Sequence, residues 1–280
     1  MNLTPRILPA LLPLCLAACG GAAPMDTADM GATLGLPAAV IASSDYTTGA
    51  LGAVSLKTRA VRTNIDVIDA QPVVRVYGGK VYVLDQTHGA VRVYDPARDF
   101  KDPTEFTLDH PLVPAAQANP HDIYVDTASQ RAFVTFYGSF GSTAVTGERA
   151  LAVVDLKATP PKVARFIPLT VAAGDPDNNP EADRLVGCGG TLYVTLQALD
   201  SSTTYAPAAA GRLASINLAG AETASYVSLS GQNPVSLSIV GGCATAIVGH
   251  ADNQYGAAPS GKGGVELVDL RGATSLGLVL

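Results

Sequence analysis

Residues 120–168 contain four runs: Pro120-His-Asp-Ile-Tyr-Val125, Arg131-Ala-Phe-Val-Thr-Phe-Tyr137, Arg149-Ala-Leu-Ala-Val-Val-Asp-Leu156 and Lys162-Val-Ala-Arg-Phe-Ile-Pro168. Each is short, rich in β-branched and aromatic residues with alternating apolar positions, and bounded by Asp, Gly, Pro or Ser. That is how strands separated by turns read. The Pro that opens the first run costs no ladder hydrogen bond at a strand's first residue.

The same phrase recurs on both sides. Third runs appear again as Gly49–Leu56, Ala90–Asp95, Arg212–Leu218 and Gly264–Leu270. Second runs appear as Ala39–Asp45, Lys80–Asp85, Thr191–Leu196 and Ala244–Gly249. Innermost runs follow Pro72, Pro180 and Pro234, and another fourth run is Ala224–Leu229. Four short antiparallel strands repeated every 40 to 60 residues or so predict an all-β chain, a β-propeller of four-stranded blades. A β-sandwich would not repeat one four-strand phrase with the same Pro and Asp punctuation. About five blades are expected, near 38–70, 71–110, 119–170, 181–230 and 233–280. The first and last read as incomplete. The first has second, third and fourth strands around Val40, Leu51 and Val61, and the last ends on the apolar Ser275-Leu-Gly-Leu-Val-Leu280. An open ring exposes sheet edges and apolar faces, so a truncated propeller fragment without independent function is one reading of the chain.

The phrases resemble the YVTN family of bacterial propeller repeats. The matching residues are Pro120 to Val125, Phe133-Val134-Thr135, Tyr193-Val194-Thr195 and Val153-Val154-Asp155-Leu156. The resemblance runs from about residue 38 to 280. It implies a ring of roughly six to eight blades and is specific for fold, not for activity.

The amino terminus carries an address. Arg6 precedes an apolar stretch, Ile7 to Ala18, too short to span a bilayer, and then Leu16-Ala17-Ala18-Cys19-Gly20. This resembles the lipobox of bacterial lipoprotein precursors. It implies a signal peptide over residues 1–18, cleavage before Cys19, lipid on Cys19, and a Gly/Ala-rich tether over 19–37. Several acyl chains on one residue give a lasting membrane anchor where one would not. Gly20 resembles an outer-membrane sorting pattern. The alternative is an ordinary secretory signal with an incidental Cys. The net charge of −6, with 18 basic residues scattered along the chain, excludes nucleic acid as a partner.

Candidate chemistry falls on long loops that propeller geometry gathers on one face. In Asp175-Pro-Asp-Asn-Asn-Pro-Glu-Ala-Asp183, oxygen ligands alternate, and Asp175, Asp177, Asn179 and Asp183 are candidate ligands for Ca²⁺. Pro180 and Val186 stand where an EF-type loop needs Gly and Glu, so that motif fails, and an Asp/Asn/Pro turn satisfying its own backbone is the simpler reading. His88, His121, Asp122, Glu181, His250 and Asp252 map to the same face as candidate binding residues. His110 has no evident partner. Lactonase propellers use channel-facing carboxylates and metals, but their ligand arrangement is not recognisable here. Cys15 leaves with the signal, so Cys188 and Cys243 remain in an oxidising compartment, either bridged or as free thiols. No Gly-x-Ser-x-Gly, His-Glu-x-x-His, Cys-x-x-Cys or phosphate loop occurs. The expectation is a non-enzymatic envelope protein, at the cell surface or in the periplasm. Its propeller face would bind or scaffold a protein, peptide or polysaccharide, with no cofactor assigned. The alternative is a metal-dependent lactonase-like hydrolase using Asp175, Asp177, His121 and Asp122.

Overall fold

A computed structural model describes residues 34–138, 150–200, 205–252 and 260–279. Cys19, the signal segment and most of the tether lie outside these residues. The described chain is all-β apart from a four-residue helical turn, Ala115–Ala118, and one 3-10 turn.

Five antiparallel sheets follow one another in sequence. The first holds β1 (Ala38–Ser44), β2 (Gly49–Ser55) and β3 (Val61–Ile68). The second holds β4 (Val73–Tyr77), β5 (Lys80–Asp85), β6 (Ala90–Tyr94) and β7 (Thr104–Thr107). The third holds β8 (Pro120–Asp126), β9 (Arg131–Phe136), β10 (Ala150–Asp155) and β11 (Lys162–Pro168). The fourth holds β12 (Ala182–Cys188) and β13 (Thr191–Leu196). Its outer strands, β16 (Arg212–Asn217) and β17 (Ala224–Ser228), follow a two-strand ribbon of β14 (Leu199–Asp200) and β15 (Ala206–Pro207). The fifth holds β18 (Pro234–Val240), β19 (Thr245–His250), β20 (Gly264–Asp269) and β21 (Thr274–Leu278).

Burial shows how the sheets stack. In β5, β9 and β13 every residue after the first is buried, as is all of β10 up to Asp155. Such strands are covered on both faces. In β2, β19 and β20 burial alternates along much of the strand, so the first and fifth sheets are covered on one face. Four apolar clusters fill the spaces between successive sheets. Leu51 and Ile68 meet Val81, Val83 and Tyr94; Leu84 and Phe106 meet Ile123, Val134 and Phe136. Phe133, Leu151 and Ile167 meet Leu185, Leu192 and Leu196; Tyr193 and Leu213 meet Ala246, Val248 and Val268. Within β9, Phe133 and Phe136 leave opposite faces, as the two-residue period of a strand requires.

The molecule is therefore a β-propeller of four-stranded antiparallel blades, with β4, β8, β12 and β18 innermost. In the three-stranded first sheet β1 lies against β4, as β5 lies against β8 and β13 against β18, and so occupies a second-strand position.

Two features tie blades together away from the channel mouth. Glu222 accepts from Arg131 at 2.6 Å and also pairs with Arg165, joining the third and fourth blades. Cys188, at the end of β12, forms a disulfide with Cys243, in the β18–β19 turn, with Cα atoms 5.8 Å apart. Of the two states open to these cysteines in the sequence, the structure has the bridge. The bridged residues are 55 positions apart, and closing such a loop in the unfolded chain is worth about 2–4 kcal/mol. Reductant is expected to lower the denaturation midpoint of the protein accordingly, and the Cys188→Ala/Cys243→Ala variant should melt at the same lowered midpoint with or without it.

Candidate functional site

The innermost strands of the third, fourth and fifth blades begin irregularly. Pairing shifts between Pro120 and Asp122, between Ala182 and Leu185, and between Pro234 and Ser236. A bulge re-aims side chains and leaves backbone groups without ladder partners. Thr195 Oγ1 accepts from the Arg184 N–H at 3.0 Å, and Thr135 Oγ1 donates to the Asp183 carbonyl at 2.8 Å. The Thr of each Val-Thr phrase thus satisfies a bulge. At the matching position in the fifth blade stands Gly249, whose N–H is taken by Ser236 Oγ at 3.1 Å. In the second blade the position is Leu84, and the β4–β5 ladder has no bulge.

The bulges deliver His121 and Asp183 to the mouth of the channel, on the face formed by the loops that enter the innermost strands and those that link second to third strands. His121 Nδ1 lies 2.9 Å from Asp183 Oδ1. Asp183 is 1% exposed and its other oxygen accepts from Gln197 Nε2 at 2.9 Å. Gln197 in turn accepts from the Tyr137 hydroxyl at 2.5 Å, and Tyr137 stacks on the His121 ring with centroids 4.2 Å apart. His121 is therefore oriented through Nδ1, and its Nε2 has no partner among the described residues. An imidazole held this way can accept a proton, donate one, or bind a ligand's polar group.

Asp122 points the other way, between blades. Its carboxylate accepts from Arg75 Nε at 2.8 Å and Nη2 at 3.0 Å, from Ile123 N at 2.8 Å and from Leu185 N at 2.9 Å. Burial pushes its carboxyl above the ordinary range, against the pull of the Arg75 guanidinium. With every lone-pair direction used, Asp122 is unsuited to hold a metal.

The four Ca²⁺ candidates are not brought together. Asn179 spends its amide on Tyr137 O and Glu181 N, Asp177 accepts from Asn179 N, and Asp183 faces His121. Asp175 and Asp177 face each other as a carboxylate pair, with the backbone N–H groups of Asp177 and Asn178 turned toward Asp175. Burial, then the neighbouring Asp177 carboxylate, raises Asp175 from 3.8 to about 7.

The remaining candidates divide. His88 is exposed, with Nδ1 2.9 Å from Asp85. Asp69 joins them, making the one group of three His, Cys, Asp or Glu side chains among the described residues whose ligand atoms all lie within 4.8 Å of one another. Asp252 caps its own loop, accepting from Ser260, Gly261 and Lys262 N–H groups. His250 and Glu181 are buried, correcting their expected place on the binding face. The His250 ring packs against Gly231 between Gln232 O and Glu266, and burial lowers its pKa. Glu181 is fully buried and accepts from Leu199 N at 2.8 Å. Arg75, Arg184, Tyr137 and Gln197 were missed in the sequence, although Arg75 stands out as the one charge inside the Val73–Tyr77 run.

Replacing Asp122 by Ala strands the Arg75 guanidinium and the Leu185 N–H. The expected loss is about 2–3 kcal/mol in urea denaturation, below that of a fully buried pair because the Arg75 side chain is 33% exposed. Asp175 holds its proton more tightly folded than unfolded. It thus adds stability below its ordinary pKa of 3.8, and this is lost as pH rises to about 7. Asp175→Asn should flatten that slope and raise stability at pH 8 by on the order of 1 kcal/mol after solvent screening, read from thermal midpoints at pH 4, 6 and 8.

No family model matches the chain, and no curated protein does. Solved structures do. A putative 6-phosphogluconolactonase from Bacteroides fragilis superposes with TM-score 0.54 at 13% identity, over 82% of this chain and 63% of that one. A protein from Lactobacillus plantarum gives 0.54 at 14%, over 86% and 67%. The dihydro-heme d1 dehydrogenase NirN gives 0.53 at 13%, over 86% and 43%. The chain thus spans between 43% and 67% of the length of these structures. At such identity the likeness shows a shared fold and nothing of the chemistry.

Proposed function

We propose that the chain is a binding module of the bacterial cell envelope. In this reading it is built from YVTN-type propeller repeats, exported on residues 1–18, anchored by lipid on Cys19 at the outer membrane, and turned with its His121 face toward a protein, peptide or polysaccharide ligand. The observation that carries the reading is the commitment of the mouth carboxylates. Asp122 is consumed by Arg75 and two backbone N–H groups, and Asp183 by His121 and Gln197. Neither is available to a metal or to a substrate, whereas the His121 edge is. A buried polar network of this kind holds a recognition surface rigid.

A second reading rests on Asp69, Asp85 and His88, whose ligand atoms fit one divalent cation by type and spacing. It is a metal-dependent hydrolase of the lactonase kind. The two readings separate on one preparation. For the binding module, the purified mature chain turns over neither gluconolactone nor acyl-homoserine lactone, with or without added Ca²⁺, Zn²⁺ or Mn²⁺. Metal-stimulated hydrolysis abolished by Asp85→Asn would install the second reading instead. For the anchor, Cys19→Ser should abolish labelling by a palmitate analogue and move the protein from the membrane to the soluble fraction. Unchanged fractionation would remove the anchor.

A further inference from the structure

Inside the channel, next in the chain to His121 and Asp183, lies a cavity of about 290 Å³ whose walls include Arg75, Arg184, Tyr77, Tyr124, Gly187 and Leu237. We propose that this cavity binds a small aromatic carboxylate, its carboxylate on the Arg184 guanidinium and its ring against Tyr77, Tyr124 and Leu237. The inference rests on the binding reading above and names a ligand class for the same channel.

The two arginines are not equivalent. Arg75 is spent: Nε and Nη2 hold Asp122, and Nη1 donates to Val74 O. Arg184 is tethered through Nε alone, 3.0 Å from Val235 O and 3.4 Å from Asp183 Oδ1. Its two terminal amino groups have no partner among the described residues, and its side chain is 32% exposed. A guanidinium fixed at Nε with both terminal nitrogens open presents the fork that matches a carboxylate. Of the nearby acids, Asp122 is paired with Arg75, and Asp183 turns its two oxygens to His121 and Gln197.

The rest of the wall selects a flat apolar body. Tyr77 and Tyr124 meet edge to face at 5.5 Å, and the Tyr77 hydroxyl is turned away onto Ile123 O at 3.2 Å. Tyr124 lies directly over Gly187, where a Cβ would fall 2.2 Å from the ring. Glycine at 187 is thus what lets the ring lie back and keep the cavity open. The volume corresponds to about ten water-sized units, which suits one ring and a carboxylate. Pockets that orient small ligands combine aromatic walls with one or two placed polar groups in the same way.

The test is calorimetric titration of the mature protein with 4-hydroxybenzoate, its uncharged analogue 4-hydroxybenzyl alcohol, and glucuronate. Binding of 4-hydroxybenzoate is expected to be at least about tenfold tighter than binding of either comparator. Arg184→Gln should weaken it about tenfold or more, and Arg184→Lys less. Gly187→Val, which alters no charge, should abolish it by driving Tyr124 into the cavity. If Arg184→Gln does not fold, the comparison of acid with alcohol on the native protein still decides. No binding at millimolar concentration, equal binding of the alcohol, or full affinity in Arg184→Gln would overturn the proposal, and preference for glucuronate would overturn its aromatic part. Failure here leaves the membrane fractionation and turnover results untouched, so the two readings fall separately.

Discussion

Face-to-face burial of successive sheets is the constraint on which the molecule depends. The second and third strands of the central blades have no solvent side, so a single sheet cannot be stable alone. Each central sheet is completed by two neighbours, and Phe133 and Phe136 show the division of labour within one strand. Stacking of this kind leaves only the innermost strands facing inward, each with one edge unpaired, and Arg75, His121, Asp122, Asp183 and Arg184 all stand on those strands.

The channel is consequently made of the same interactions that hold the blades in register. Asp122 accepts from β4 through Arg75 and from β12 through Leu185, so one carboxylate spans three sheets. Arg184 continues the series from β12 to β18 through Val235 O. A buried charge is tolerated only when fully satisfied, and satisfying it removes it from chemistry. Asp122 and Asp183 are structural for that reason, while the His121 edge and the Arg184 fork are left open among the described residues.

The fold was legible because its determinants are local. Pro-led innermost runs, Val-Thr second strands and Val-Asp third strands repeat in the sequence, and each reports on its own strand. The Thr of the Val-Thr phrase proves to carry more than β propensity, since Thr135 and Thr195 satisfy the bulges. The site was legible only in part. His121 stands at the start of an innermost strand in sequence and structure alike, whereas Asp183 reads in the sequence as part of a cation loop, because the pair is 62 residues apart and meets only across a blade interface. His250 and Glu181 looked like loop residues by position, and whether such a side chain turns outward or packs under a glycine such as Gly231 is a tertiary matter. Arg184 sits within an ordinary-looking strand, and its exposure to the cavity depends on the bulge at its own position.

The Cys188–Cys243 link joins two tight turns at the rim opposite the mouth. With that rim pinned covalently, the fourth and fifth blades can shift relative to each other chiefly by pivoting about it, and the Arg184 contact to Val235 O on the inner strands resists the pivot. Thiol reductants and a ligand seated on Arg184 would then act on one mechanical coordinate from its two ends, the former loosening the pivot and the latter bracing the opening.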